Sequence, residues 1–154
     1  MTLIKSISGF RGTIGGPVGE NLTPIDTVKF AAAFATWLKS QNNGNTVVIG
    51  RDARISGPMI SNLVSSTLIG MGMDVIDLGL STTPTVEMAV PGLKAAAGII
   101  LTASHNPAQW NALKLLNNKG EFISGAEGKE LLSIAESDDM EFAHVDELGS
   151  IITD

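Results

Sequence analysis

Short runs of branched apolar residues alternate along this chain with segments in which apolar side chains recur every three to four residues. The runs are typical of strands buried inside a sheet, and the recurring spacing is typical of helices. Because the two patterns alternate, the sequence predicts an α/β fold: a single three-layer domain with a mixed, mostly parallel sheet flanked by helices. The predicted strands lie at 46–50, 73–78, 95–101 and 112–116, and the predicted helices at 23–40, 56–70, 82–91 and 125–136.

The first residues and the last predicted strand complete this outline. Residues 3–14 combine spaced apolar side chains with a Gly-rich stretch, which predicts a strand and then a loop with Arg11 at its edge. The strand at 112–116 is expected to be antiparallel, through the turn at 117–120 or its neighbours.

Composition limits the classes of function. The chain has 154 residues, 44% of them apolar, a net charge of −6 and no cysteine, which fits a globular domain with a sizeable core. An acidic chain predicts no nucleic-acid partner, and the absence of a run of about 18 apolar residues predicts no membrane span. No signal-peptide pattern is expected at the start, and we expect a cytoplasmic protein. One domain is placed at 1–137, and the acidic, aperiodic stretch 138–154 is interpreted as a tail or the start of a linker to a second domain.

The loop Thr-Ala-Ser-His-Asn-Pro at 102–107 follows the buried run at 95–101. The carboxyl ends of strands are where open α/β sheets place their ligands. A serine at such a position, here Ser104, makes a plausible nucleophile or phosphate carrier, because adjacent polar groups can orient it.

This loop resembles the phosphoserine loop of the α-D-phosphohexomutases, the family of the phosphoglucomutases, phosphomannomutases and phosphoglucosamine mutases. Three more segments are similar to family motifs in order and spacing. They are SGFRGT at 8–13, GRDAR at 50–54 and WNALK at 110–114. One such match alone would be weak, but four across nearly the whole chain identify it as similar to the first domain of the family.

The resemblance implies chemistry for four residues. Ser104 would carry a phosphoryl group, pass it to a sugar monophosphate, and recover phosphate from the other end of the bisphosphate intermediate. Lys114 would approach the phosphoserine as a general acid or base, and Arg11 would bind the transferring phosphate with its planar guanidinium. His105 either contacts phosphate or relays a proton, or it only caps a carbonyl in the loop.

The segment after the strand at 46–50 lies at the same edge of the predicted sheet. We interpret Asp52 and Arg54 as an ion-pair network that braces the phosphoserine loop, with Arg51 in contact with that loop. Binding of phosphate or substrate, or support of the loop, is predicted for three further residues, Thr102, Asn106 and Asn111.

The resemblance also implies partners. The family uses Mg²⁺, to which this chain would contribute only the phosphate on Ser104; most ligands come from an Asp-rich loop of a later domain, which this sequence does not contain. The expected substrate is a hexose or hexosamine phosphate, with hexose 1,6-bisphosphate as activator and intermediate. The whole enzyme, slightly favoured as a phosphoglucosamine mutase, would move phosphate between the 1- and 6-positions. The isolated chain, without the remaining domains of the polypeptide, is expected to be inactive.

Two departures and two alternatives accompany this interpretation. Trp110 stands where the family usually has Tyr and Ala112 where it has Gly, and neither change removes a reacting group.

A stand-alone sugar-phosphate binding or regulatory domain is one alternative function, although such a domain would not need Ser104, Arg11 and Lys114 together. A small hydrolase is the other, but the sequence has no Gly-x-Ser-x-Gly motif around its serine.

Overall fold

The computed structural model of the protein describes residues 1–6 and 9–153. Ser8, the first residue of one matching segment, lies outside them. The strands within the described residues are β1 (Ile4–Ser6), β2 (Gly9–Thr13), β3 (Thr46–Arg51), β4 (Asp74–Leu80), β5 (Ala97–Leu101), β6 (Trp110–Leu116) and β7 (Ile151–Thr153). The helices are α1 (Pro24–Gln41), α2 (Gly57–Gly70), α3 (Thr83–Gly92) and α4 (Gly125–Ser137), with a 3₁₀-helix at Val145–Glu147.

These strands form one mixed sheet in the order β1-β2-β6-β5-β3-β4-β7. Neighbours among β5, β3, β4 and β7 are parallel, whereas β6 is antiparallel to both β5 and β2, and β1 is antiparallel to β2. It follows that β2 points the same way as β5, so five of the seven described strands share one direction. The α/β fold with a mixed, mostly parallel sheet is therefore confirmed.

Helices cover both faces of this sheet. The larger apolar core joins one face to α1, α2 and α4, and a smaller core joins the other face to α3 through Val86 and Val90. The approach of α3 is close, because a Cβ added at Gly98 would lie 2.6 Å from Cγ2 of Val90. The three predicted layers are thus present, with α3 packed mainly over β3 and β5.

Local sequence signals explain where α1 begins and ends. The Thr23 hydroxyl accepts a hydrogen bond from the Asp26 N–H at 3.3 Å, and the Asp26 carboxylate accepts one from the Thr23 N–H at 3.3 Å. Pro24 occupies the first turn, where its missing N–H costs nothing. The helix ends before Asn42, which adopts the left-handed conformation at φ 61°. No helix of the described residues is long and apolar enough to cross a membrane.

The start of the chain corrects one prediction. β1 and β2 pair in antiparallel fashion, and Arg11 lies in the middle of β2, opposite Ile4 on one side and Ala112 on the other. Placing Arg11 at the edge of a loop was wrong. Strand formation here depends on the two flanking strands, β1 and β6, which a local pattern rich in glycine does not reveal.

The surroundings of β6 correct a second prediction, that the turn at 117–120 makes this strand antiparallel. This strand begins at Trp110, and its antiparallel partners are β5 and β2. The turn at 117–120 leads only to a single bridge between Leu116 and Phe122. The antiparallel reversal is therefore made by the loop between β5 and β6, which contains Ser104.

The stretch interpreted as a tail or linker contains regular structure. After the 3₁₀-helix, β7 pairs in parallel with β4, with Ile151 opposite Val75 and Ile152 opposite Ile76. A strand of three residues is too short to show a period in the sequence. The domain boundary at residue 137 stays a prediction, but the sheet extends beyond it.

Candidate active site

Two loops meet at the carboxyl edge of the sheet. One connects β5 to β6 through residues 102–109, and the other leads from β3 to α2 through residues 52–56. The Asp52 N–H donates to the Leu101 carbonyl at 3.1 Å, which joins the loops at their base. The parallel pairing of β3 with β5 brings them together, because parallel neighbours end at the same edge.

Ser104 is held in a backbone conformation that serine rarely adopts. Its φ is +52°; the other described non-glycine residues with positive φ, Asn42, Lys94 and Asp138, all follow helices. A left-handed conformation costs an L-residue roughly 1–2 kcal/mol. Contacts nearby support it: the Ser104 N–H donates to the Thr102 hydroxyl at 3.1 Å, and that hydroxyl donates to the Asp52 carboxylate at 2.6 Å. Strain of this kind, maintained by surrounding contacts, is typical of functional positions.

Lys114 reaches the hydroxyl group of Ser104. It lies on β6 opposite Gly9 of β2 and Ile100 of β5, and its Nζ donates to Ser104 Oγ at 3.0 Å. The hairpin between β5 and β6 creates this contact, because Lys114 returns alongside the strand from which the loop departs. The pair is exposed to solvent. The arrangement provides a cation beside a hydroxyl, suited to a phosphate on that oxygen.

The Arg54 side chain fixes the shape of the loop. Its guanidinium donates to four main-chain carbonyls, and its Nε pairs with the Asp52 carboxylate at 3.2 Å. The fixed fork of five N–H donors allows a single side chain to make all these bonds. The four carbonyls are those of Ser104 at 2.8 Å, Asn106 at 2.9 Å, Pro107 at 2.8 Å and Trp110 at 3.1 Å. The contacts predicted for Asp52 and Arg54 with the loop are therefore present.

Arg11 lies on the same face of the sheet as Lys114. It pairs with Ala112, two residues from Lys114 along β6, and successive side chains of a strand alternate between faces. Both cations line a cavity of about 210 Å³, with Ser6 and Gly9. A side chain at Gly9 would collide with the carbonyl oxygen of Leu113. The absence of a side chain at Gly9 thus allows the close approach of β2 to β6, the strand that carries Lys114.

Among the described residues, the side chains of four other predicted residues, Arg51, His105, Asn106 and Asn111, make no hydrogen bond to the Ser104 side chain. The Arg51 guanidinium donates to the Asp52 carbonyl at 3.2 Å, and among the described residues it makes no hydrogen bond to the loop. His105 is exposed, and its imidazole has no hydrogen bond to any described residue. Asn111 is fully buried and donates to Ser56 Oγ at 2.9 Å, so it links β6 to the start of α2. Asn106 contributes main-chain groups, its N–H donating to the Ala103 carbonyl at 3.0 Å.

Sequence reasoning missed Ser56 as a member of this group. Its position before Gly57 and Pro58 indicates a helix N-cap, but its side chain makes no capping bond in the structure. The hydroxyl instead accepts from Asn111, 55 residues away in sequence. No local signal predicts a contact of that range.

The residues near Ser104 do not form a magnesium site by themselves. Within residues 1–6 and 9–153, no group of three or more His, Cys, Asp or Glu side chains could hold a metal ion. Asp52, the carboxylate closest in the network, already accepts from Thr102 and Arg54. Mg²⁺ needs several oxygen ligands, so this chain alone does not fit the ion.

Comparison with known proteins identifies the family of this chain. Residues 4–142 match the model of the phosphoglucomutase/phosphomannomutase family, alpha/beta/alpha domain I. The chain therefore belongs to the phosphoglucomutase/phosphomannomutase family, as its first domain. The resemblance noted from the four segments is confirmed.

Relatives and a solved structure agree with this assignment. The chain is 39% identical over 134 residues to a "probable phosphoglucosamine mutase" of Pyrococcus abyssi, covering 87% of this chain and 29% of the relative. It is 37% identical over 147 residues to a phosphoglucomutase/phosphomannomutase of Thermococcus kodakarensis, covering 91% of this chain and 31% of the relative. A crystal structure of a phosphoglucomutase/phosphomannomutase family protein from Burkholderia thailandensis superposes with a TM-score of 0.82 at 26% identity, covering 97% of this chain and 32% of the other. The chain thus spans less than a third of each of these proteins.

Proposed function

We propose that this chain is the phosphoserine-bearing first domain of a phosphohexomutase, in which Ser104 carries the phosphoryl group. The observation that supports this most directly is the 3.0 Å contact between Lys114 Nζ and Ser104 Oγ, at a serine held in a left-handed backbone conformation. A serine that merely terminates a strand needs neither a cation on its hydroxyl nor a network maintaining a strained backbone.

In the proposed reaction, phosphate on Ser104 passes to a hydroxyl oxygen of a hexose or hexosamine monophosphate. The P–O bond to the serine breaks and a new P–O bond to the sugar forms, and the proton lost by the sugar hydroxyl is balanced by the proton that Ser104 Oγ gains. Lys114 is the candidate to hold a proton at Ser104 Oγ as that oxygen leaves, and Arg11 to bind the phosphate oxygens from β2. The resulting bisphosphate then returns its other phosphate to Ser104, which restores the enzyme and completes the isomerisation.

Two parts of this reaction lie outside the chain. Mg²⁺ would neutralise charge on the transferring phosphate, and only an oxygen of the Ser104 phosphate could bind it here. Recognition of the sugar would come from the rest of a longer polypeptide. For these reasons we propose that the isolated chain does not turn over substrate. Phosphoglucosamine mutase is the favoured activity, hexose 1,6-bisphosphate the expected activator, and the cytoplasm the expected location.

The test measures mutase activity of the native-length product of the gene, with glucosamine, glucose and mannose phosphates as substrates. Ser104→Ala should abolish activity towards all three, whereas Ser133→Ala, at an exposed position of α4, should leave it intact. An active Ser104→Ala enzyme would rule out the phosphoserine role. A native product that binds sugar phosphates without converting them would favour the stand-alone binding domain.

A further inference from the structure

Asn43 and Gly44 form the single Asn–Gly pair of this sequence, and they lie in the loop that joins α1 to β3. An asparagine in such a pair can lose its side-chain amide without an enzyme, because the nitrogen of the next residue can attack the side-chain carbonyl carbon. The attack needs an accessible nitrogen that is not engaged in a hydrogen bond, and little steric obstruction around it. Both conditions are met at Gly44.

The Gly44 nitrogen and the Asn43 side chain are both accessible. The Gly44 N–H donates no hydrogen bond to any described residue. A Cβ added at Gly44 would have no heavy atom within 4 Å, and its φ of +106° is a conformation that glycine adopts without strain. Asn43 is exposed, and its side chain makes no hydrogen bond within the described part of the chain. The side-chain amide can therefore rotate towards the Gly44 nitrogen without breaking a native contact.

The other asparagines lack this combination of features. Each of them is followed by a residue with a side chain, which crowds the attacking nitrogen. Asn106 precedes Pro107, whose nitrogen carries no hydrogen. The nitrogen that Asn118 would need belongs to Lys119, whose N–H donates to Asn117 Oδ1 at 2.9 Å. The conditions for this reaction are thus best met at Asn43.

We propose that Asn43 is a site of spontaneous deamidation through a succinimide. The Gly44 nitrogen forms a bond to Asn43 Cγ, the bond from Cγ to Nδ2 breaks, and the amide group leaves as ammonia with the proton of the Gly44 N–H. Water then opens the ring at either of its carbonyls. Opening at Cγ gives aspartate, and opening at the main-chain carbonyl gives isoaspartate. The net change replaces ammonia by water, so no oxidant or reductant is involved.

Deamidation changes both charge and backbone at the end of α1. Either product adds one negative charge beside the carboxyl end of this helix, where the helix dipole disfavours it. Isoaspartate also adds a main-chain methylene to the connection between α1 and β3. Asn43 precedes β3 and Ser104 follows β5, and these strands are parallel, so the two residues lie at opposite edges of the sheet. Deamidation at Asn43 is therefore independent of the chemistry proposed for Ser104.

Peptide mapping of the folded 154-residue chain by mass spectrometry tests this proposal. The peptide that contains Asn43 should gain one dalton with time, and faster as the pH rises, because the deprotonated Gly44 nitrogen is the nucleophile. An enzyme that methylates isoaspartyl carboxyl groups should label the same peptide. Asn43→Ser should abolish both signals. Asn118→Ser is the matched control and should change neither, since Asn118 is also exposed and lines the same cavity of about 220 Å³ as Asn43.

The same chain unfolded in urea provides the reference rate. In the folded chain, Asn43 should convert within about tenfold of that rate, because neither reacting group has to leave a native hydrogen bond first. A slower folded rate, or conversion in the unfolded chain alone, would overturn the proposal, since the native loop would then block the attack. Equal conversion at Asn118 in the folded chain would also overturn it. Aspartate formed without isoaspartate would do the same, because it indicates direct hydrolysis of the side chain instead of a succinimide.

Discussion

Replacing Arg54 with Lys should release the loop that carries Ser104 while keeping the positive charge. The Arg54 side chain is 11% exposed and bonds four carbonyls spread over residues 104–110. A lysine has its donors on one atom and cannot reach them all. The bonds to Asn106 and Trp110 are partly buried, and hydrogen bonds to charged groups contribute about 1.5–3 kcal/mol each, so we expect a loss of about 2–4 kcal/mol after relaxation.

Urea unfolding of the 154-residue chain, followed by circular dichroism, measures this loss as a lower midpoint at an unchanged slope. If only the loop that carries Ser104 detaches, the core stays folded and the measured loss of unfolding free energy is smaller. Hydrogen exchange therefore provides a second readout. The Asn106 and Trp110 amides, which donate to the Ala103 and Pro107 carbonyls at 3.0 Å, should exchange faster while amides of β3 do not.

Arg51→Lys is the matched control for this experiment. Arg51 is the last residue of β3 and donates a single hydrogen bond at 3.2 Å, so its replacement should cost less than about 1 kcal/mol. Equal losses in the Arg54 and Arg51 variants, together with unchanged exchange in the Ser104 loop, would refute the bracing argument.

Three further changes test other parts of the structure. The free energy of unfolding in urea should be about 1 kcal/mol higher for Ser104→Gly than for Ser104→Ala, because glycine adopts φ +52° without strain. Equal urea midpoints for the two variants would contradict the left-handed conformation. Gly98→Ala should lower the free energy of unfolding by about 1–3 kcal/mol, because its Cβ would press on α3. Gly92→Ala, whose Cβ would have nothing within 4 Å, should be neutral or slightly stabilising. Equal melting temperatures of the two variants would contradict the close packing of α3 on β5. Asn111→Ala should lower the melting temperature, with a loss of about 1–3 kcal/mol in unfolding free energy, because the buried hydroxyl of Ser56 loses its hydrogen-bond partner. An unchanged melting temperature would show that this hydroxyl finds another partner.

Much of the fold follows from local patterns in the sequence. α1 is predicted correctly because Thr23, Pro24 and Asp26 signal its start and an amide residue, Asn42, its end. The central strands β3 and β5 are predicted because strands buried on both faces are continuously apolar. The misassigned parts, β2 and β7, are short strands whose pairing depends on partners distant in sequence.

The candidate site was predictable as a set of residues and, in part, as contacts, because the approach of Lys114 to Ser104 and the bracing by Asp52 and Arg54 were both expected. Position at the carboxyl edge followed from the order of strand and loop, and the resemblance singled out Ser104 and Lys114. The hairpin register that brings Lys114 Nζ to Ser104 Oγ, and the turning of Asn111 away from the loop, depend on tertiary packing. Residue type and spacing do not determine such directions.

The central claim, that Ser104 carries phosphate within a longer mutase, is tested most directly by the intact mass and phosphosite map of the native protein isolated from its source cells. We predict a polypeptide about three times the length of this chain, because the chain covers 29% and 31% of its relatives, with one labile phosphate on Ser104. An unphosphorylated native product of these 154 residues would contradict the account.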